Sequence, residues 1–345
     1  MVAVHTVLYL CRPESLGGFD PSFGSKTCYL IIDNILGATL SAPVFMFCMG
    51  VGFAYTRASD SLSYAKRGGG LLVKGIVLNL VRGGMFGLVL LLATQTDAMR
   101  ENTRDAFIFE LFQIDILPFA GLAFLVMAVL KKAKFGWRGT LFAALVMLAI
   151  GARYRFLALG SFAKDLPLMP FVGVADGNLE SCFPLFNWFI FPAAGYAFAQ
   201  LLRRCTDMNR LFAILTPISL AIYLPLTVYL WRIESPMLYD EPTFYHMDFT
   251  LVAYTMVGIC SMLGVSYYLS RILTSGVMRF AGEASRNINK IYIVHWLILI
   301  ALSAVTCHTF DIWFGVYASQ VAAAVVFALA FFVVRGEIRW RDRRK

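Results

Sequence analysis

LFAILTPISLAIYLPLTVYLW (211–231) runs twenty-one residues without a charge. The hydrocarbon core of a bilayer takes about 20 apolar residues of helix, so this stretch predicts a membrane-spanning helix. The same pattern recurs at 36–56, 71–93, 112–130, 139–152, 184–202, 249–270, 291–306 and 313–334. With a short opening run, MVAVHTVLYL (1–10), the chain is expected to form about ten helices. The run at 139–152 is short and is expected to tilt or to extend into GARYRFLALG (151–160). The predicted fold class is therefore all-α, a polytopic transmembrane helix bundle.

Composition agrees. Of 345 residues, 59% are hydrophobic and 15% charged, against about a quarter charged in soluble domains. Mean hydropathy is +0.70. The loops are too short for a separate soluble domain, so residues 1–345 read as one integral-membrane domain. The net charge of +9 would suit nucleic acid, but its distribution argues otherwise. With the first loop outside, 21 of the 30 basic residues fall on inner loops and the tail, and eight fall outside. This is the positive-inside bias. The tail RGEIRWRDRRK (335–345) is then a topology anchor with its end in the cytoplasm, and no nucleic-acid partner is expected.

Seven cysteines match no metal-binding spacing, and no metal site is expected. A Cys11–Cys28 disulfide and unpaired apolar thiols both fit. Walker, GxGxxG, HExxH and paired CxxC motifs are absent. RGGG (67–70) reads as a flexible helix entry rather than a phosphate loop.

The opening run is half a membrane span. Either its helix continues upstream, so that the first helix is truncated here, or a half-helix packs against its neighbours. His5 lies a turn or two below the outer face. Ionisable residues at such depth are costly and usually face a protein interior or a wet path. Asn79 and Arg82 are three apart on one helix face. Arg82 is too central to snorkel and needs an anionic partner or ligand; Asp115, just after Gln113, is the nearest candidate. Asn187 sits near an outer helix end. His295, beside Trp296, sits about a turn from the inner face. His246 and His308 fall in outer loops and read as solvated.

Four segments carry a resemblance: LSAPVFMFCMGVGFAYTR (40–57), FELFQIDILPFAGLAFLVMAVL (109–130), ESCFPLFNWFIFPAAGYAFAQ (180–200) and NINKIYIVHWLIL (287–299). In order and spacing they resemble membrane acyltransferases of the heparan-α-glucosaminide N-acetyltransferase-like and acyltransferase-3 group. Some positions depart from that pattern. Ser181 stands where the group has an aspartate, with Glu180 beside it. Asn187 stands for the proline before Trp188, and Thr39 for an acidic residue.

The resemblance implies transfer of an acyl group, usually acetyl, from cytoplasmic acyl-CoA to an extracytoplasmic sugar or glycan hydroxyl or amine. It maps a functional histidine onto His5, which would serve as general base or form an acyl-histidine. Asn79, Arg82, Gln113, Asp115, Asn187 and His295 are the candidate substrate-binding residues, with His295 lining the donor entry. Acetyl-CoA or another acyl-CoA is a co-substrate, and no tightly bound cofactor is implied. The partners are the lipid bilayer, acyl-CoA and the glycan. The expected location is the inner (plasma) membrane of the cell, multi-pass. Two rival readings remain: a transporter or flippase using the same polar residues as a path, and an inactive relative that serves as an export partner.

Overall fold

The structure, a computed structural model, describes residues 1–11, 31–32, 41–56, 60–84, 92, 97–176, 179–235, 237 and 241–344. The fold is all-α. In chain order the helices are α1 Val2–Leu10, α2 Ser41–Tyr55, α3 Ser61–Asn79, α4 Asp97–Phe112, α5 Ile116–Lys132 and α6 Trp137–Arg153. Short α7 (Phe162–Asp165) and α8 (Leu185–Trp188) precede α9 (Ile190–Arg204) and α10 (Met208–Arg232). Then come α11 Glu241–Tyr245, α12 Phe249–Ile272, α13 Ser275–Arg286, α14 Ile288–Ser303 and α15 Val316–Asp342. Two-residue strands, Ala175–Asp176 and Leu179–Glu180, pair antiparallel between α7 and α8.

Each apolar segment predicted from the sequence overlaps a helix. Among the described residues, five spans are long and apolar enough to cross a membrane: Leu185–Arg204, Met208–Arg232, Phe249–Ile272, Ile288–Thr309 and Val316–Asp342. A sixth candidate is a broken pair, Thr103–Phe112 and Ile116–Lys132, bent by 55°. The run at 139–152 does not extend far: α6 ends at Arg153, and Phe156 just beyond has a positive φ of 58°.

The described chain divides into two compact units, Met1–Ser41 with Ser266–Lys345, and Ala42–Val265. In the second unit, α3 packs along α5, and α9 packs on α6. The start of α3 corrects the sequence reading. The helix begins at Ser61, ten residues before the predicted 71, so RGGG lies inside it. Asp60 caps it by accepting from the Ser63 amide at 2.9 Å. Bonding to Ser63 holds this exposed carboxyl below the ordinary carboxylate range. The physical reason for the glycines is close approach: a Cβ on Gly68 would stand 2.8 Å from the Gly121 carbonyl oxygen. An apolar window misses such a start, because small residues at a helix contact add little hydropathy.

A tighter contact joins α2 to α9. A Cβ on Gly50 would stand 2.0 Å from the Pro192 oxygen, and one on Gly195 would stand 2.0 Å from the Phe47 oxygen. Nearby, Tyr64 donates to the Phe53 oxygen at 2.9 Å, and Lys131 donates to the Tyr196 hydroxyl at 3.0 Å.

In the first unit, α1 lies against α14 and α15. Its Val7 and Cys11 are buried with Ile32 and Val316. Cys11 is a free thiol, and Cys28 lies outside the described residues.

Gly195→Ala is expected to cost about 3 kcal/mol, the upper end of overpacking losses. Gly69→Ala, whose Cβ meets nothing within 4 Å, should be neutral or stabilising by up to about 1 kcal/mol. Thermal unfolding midpoints of the two variants in detergent separate these outcomes.

Candidate active site

A helix ends with carbonyls that have no partner within it, and α1 ends inside a packed unit. Carbonyls at this end, and one in the first turn, are met from elsewhere in the chain. The Ser303 hydroxyl donates to the Tyr9 oxygen at 2.9 Å, and the Phe314 amide donates to the Leu10 oxygen at 2.8 Å. The Gln320 amide donates to the Ala3 oxygen at 3.3 Å. These bonds fix α1 in register against α14 and α15 and so fix His5.

His5 Nδ1 stands 3.0 Å from His295 Nε2. The two rings are nearly parallel, 9° apart, with centroids separated by 5.3 Å. Trp296 stacks on His5 at 4.3 Å, and Tyr292 meets it edge-on at 6.4 Å. His295 is buried at 1% exposure, whereas His5 is only half-buried. The sequence reading had placed His5 near the outer face and His295 near the inner one. Rings at hydrogen-bond distance cannot lie near opposite faces of a core roughly 30 Å thick. The start of α14 accounts for part of this. The helix begins at Ile288 rather than 291, so His295 is two turns in, and α1 reaches down beside it.

One tautomeric order satisfies both contacts. A carbonyl oxygen only accepts, so the 3.3 Å contact between His295 Nδ1 and the Ile291 oxygen puts a proton on that nitrogen. Nε2 of neutral His295 then accepts, and His5 Nδ1 donates to it. In neutral His5 the basic lone pair therefore sits on Nε2. Tyr292, Tyr9 and Ser303 were not singled out from the sequence. Nothing local in the sequence links residues about 290 positions apart.

The other polar candidates belong to the Ala42–Val265 unit. Asn79 ends α3, and Arg82 sits in the π-helical turn Leu80–Gly84 that follows it. Arg82 Nη1 donates to Asp115 Oδ2 at 2.7 Å, and Nη2 donates to Gln113 Oε1 at 2.5 Å. Asn79 donates to the backbone oxygens of Leu111 and Gln113, at 3.3 and 2.8 Å. Those oxygens lie at the 55° break between α4 and α5, where the helical bonds stop. Asp115 also caps α5, accepting from the Ile116 amide at 2.7 Å. The four side chains thus satisfy a broken span, as non-helical backbone at membrane depth requires.

Asn187, fully buried, donates to the Met247 oxygen at 2.7 Å, and Trp188 Nε1 donates to the Tyr245 oxygen at 2.7 Å. Together they clamp the segment that carries His246. That histidine is buried rather than solvated. Its Nε2 lies 3.0 Å from the Ser181 oxygen, and its ring packs on Phe156. The loop folds back under Arg155, which pairs with Asp248 at 2.6 Å. His308 is exposed but lies in the π-helical turn Ala304–Thr309 rather than in a loop.

The family model for the catalytic region of heparan-alpha-glucosaminide N-acetyltransferase matches residues 1–232. The chain belongs to this family. The match covers about two-thirds of the chain, including α1 with His5 and the Asn79–Asp115 network. His295 lies beyond it. Comparison with curated proteins and with solved structures returns no match to either. The family and the apolar spans make this a membrane protein of an acetyltransferase family.

Asp115→Ala is expected to destabilise the protein by about 3–5 kcal/mol, since it strands a mostly buried guanidinium. Arg82→Met should do the same in reverse. The double variant should cost clearly less than the sum of the two, a coupling read from a thermal or denaturant double-mutant cycle.

Proposed function

We propose that residues 1–345 form one membrane acyltransferase domain. It moves an acyl group, acetyl by family likeness, from cytoplasmic acyl-CoA to an extracytoplasmic sugar or glycan hydroxyl or amine. The observation that carries the reading is the ordered His5–His295 pair. A half-buried imidazole has its basic nitrogen set by a fully buried partner. His5 Nε2 takes the proton of the acceptor as its oxygen or nitrogen attacks the thioester carbonyl. The carbon–sulfur bond then breaks, and the His5 imidazolium returns the proton to the departing CoA thiolate.

His295 works through His5 in this scheme. It accepts from His5 Nδ1 throughout and so orients the ring. It also strengthens as an acceptor of that bond once His5 is charged. This is a positioning part, and it replaces the donor-entry part expected for His295. Asn79, Arg82, Gln113, Asp115 and Asn187 enter the reading as residues that shape the substrate path. Their mutual and backbone bonds support a part in holding that path rather than touching the acyl group. The multi-pass placement in the inner membrane, with a cytoplasmic C-terminus, rests on the charge bias of the loops.

His5→Ala is expected to lower kcat by about 10²–10⁴-fold, the usual worth of general-base assistance. His295→Ala should lower kcat less, with little change in KM for either substrate, and should move the acid limb of the pH–rate profile. The assay is transfer from labelled acetyl-CoA to candidate glycans by purified protein in detergent. Unchanged turnover in His5→Ala would sink the assignment. Movement of substrate only across a sealed membrane, without acyl transfer, would favour a transporter.

A further inference from the structure

Helix α13, Ser275–Arg286, is unlike the others in its unit. It contains no buried residue, yet one face is apolar. Val277, Phe280, Ala281 and Ala284 follow the i, i+3, i+4, i+7 spacing of a single stripe. Arg279, Glu283 and Arg286 occupy the opposite face. Phe280 touches Phe331 at 4.6 Å between ring centroids, and Ala284 packs on the cluster around Ile291 and Val334. Even so, Val277 and Phe280 remain 45% and 43% exposed.

One ion pair ties α13 to the far end of α15, and a second ties the start of α14 to it. Glu283 pairs with Arg335 at 3.0 Å, and Glu337 pairs with Lys290 at 2.6 Å. Residues 271–290 and 335–344 together carry nine basic and three acidic side chains. These pairs occupy two of the three acids. Beyond them Trp340 is 56% exposed, with the Arg344 guanidinium over its ring at 3.8 Å.

Connectivity says what covers this face. The span Phe249–Ile272 ends three residues before α13 starts, and the span Ile288–Thr309 begins two residues after it ends. A helix so tethered at both ends lies at the bilayer surface. There an apolar stripe enters the acyl boundary, and a cationic face meets phosphates. Arginine suits that contact through its planar, bidentate donors, and exposed tryptophan favours headgroup depth.

We propose that α13, together with the Arg339–Arg344 end of α15, is a binding surface for anionic phospholipid headgroups of the surrounding bilayer. The test uses the full chain in an uncharged detergent with equal phosphatidylglycerol and phosphatidylcholine of matched acyl chains. Native mass spectrometry counts the bound lipids. Phosphatidylglycerol adducts should dominate, and added salt should weaken the preference. The triple variant Arg279→Gln, Arg286→Gln, Arg341→Gln should lose it, by roughly five-fold for each arginine removed. Lys132→Gln with Arg138→Gln, in the other unit, should keep it. Equal binding of the two lipids, a preference indifferent to salt, or full retention in the triple variant would overturn the proposal. Displacement by inorganic phosphate at the lipid's own concentration would also overturn it, by marking a site for the free anion. Lipid binding is read without turnover, so its failure leaves the acyl-transfer reading untouched.

Discussion

In hydrocarbon, a polar group that loses its helical partner must find another inside the protein. Much of the described architecture follows from that constraint. The α4–α5 break frees two carbonyls, and Asn79 takes both. The guanidinium of Arg82 is costly at this depth, so it lies against Asp115 and Gln113 at the same break. The end of α1 frees more carbonyls, and Ser303 and Phe314 take two of them. The last solution also sets the position of His5, so the candidate catalytic geometry comes from the same solvation requirement that closes the helix end.

In the proposed reaction the two histidines divide one task between them. A fully buried base cannot meet a substrate, and an exposed one has no fixed orientation. His5 is half-buried, while the buried His295 lies between it and the Ile291 carbonyl. The order resembles a serine-hydrolase triad in its logic, with a neutral imidazole where a carboxylate would stand. A neutral partner orients without drawing a permanent charge into the membrane, where an anion would carry a solvation cost.

The helical class, the positions of the five later spans and the pairing of Arg82 with Asp115 could be read from the sequence. Hydropathy reports whether a residue prefers lipid, and a lone central arginine demands a nearby anion. The start of α3 could not be read, because glycine packing at Gly68 leaves no apolar signature. The burial of His246 was equally hidden. It depends on Asn187 and Trp188 drawing the 245–247 backbone inward, a contact across about 60 positions. The His5–His295 pair was missed for the same reason. Each residue could be singled out alone, but periodicity along a helix says nothing of which distant helix lies beside it.

That distance along the chain has a consequence for biogenesis. His295 follows His5 by 290 residues along the chain. At roughly 5–20 residues per second, the wait is about 15–60 s. During that interval α1 has neither Ser303 nor Phe314 to receive its open carbonyls. Either the insertion machinery shelters it, or it stays at the interface until α14 and α15 arrive. Assembly of the His5–His295 pair is thus coupled to completion of the membrane fold, and a nascent chain stopped before α14 lacks half of it.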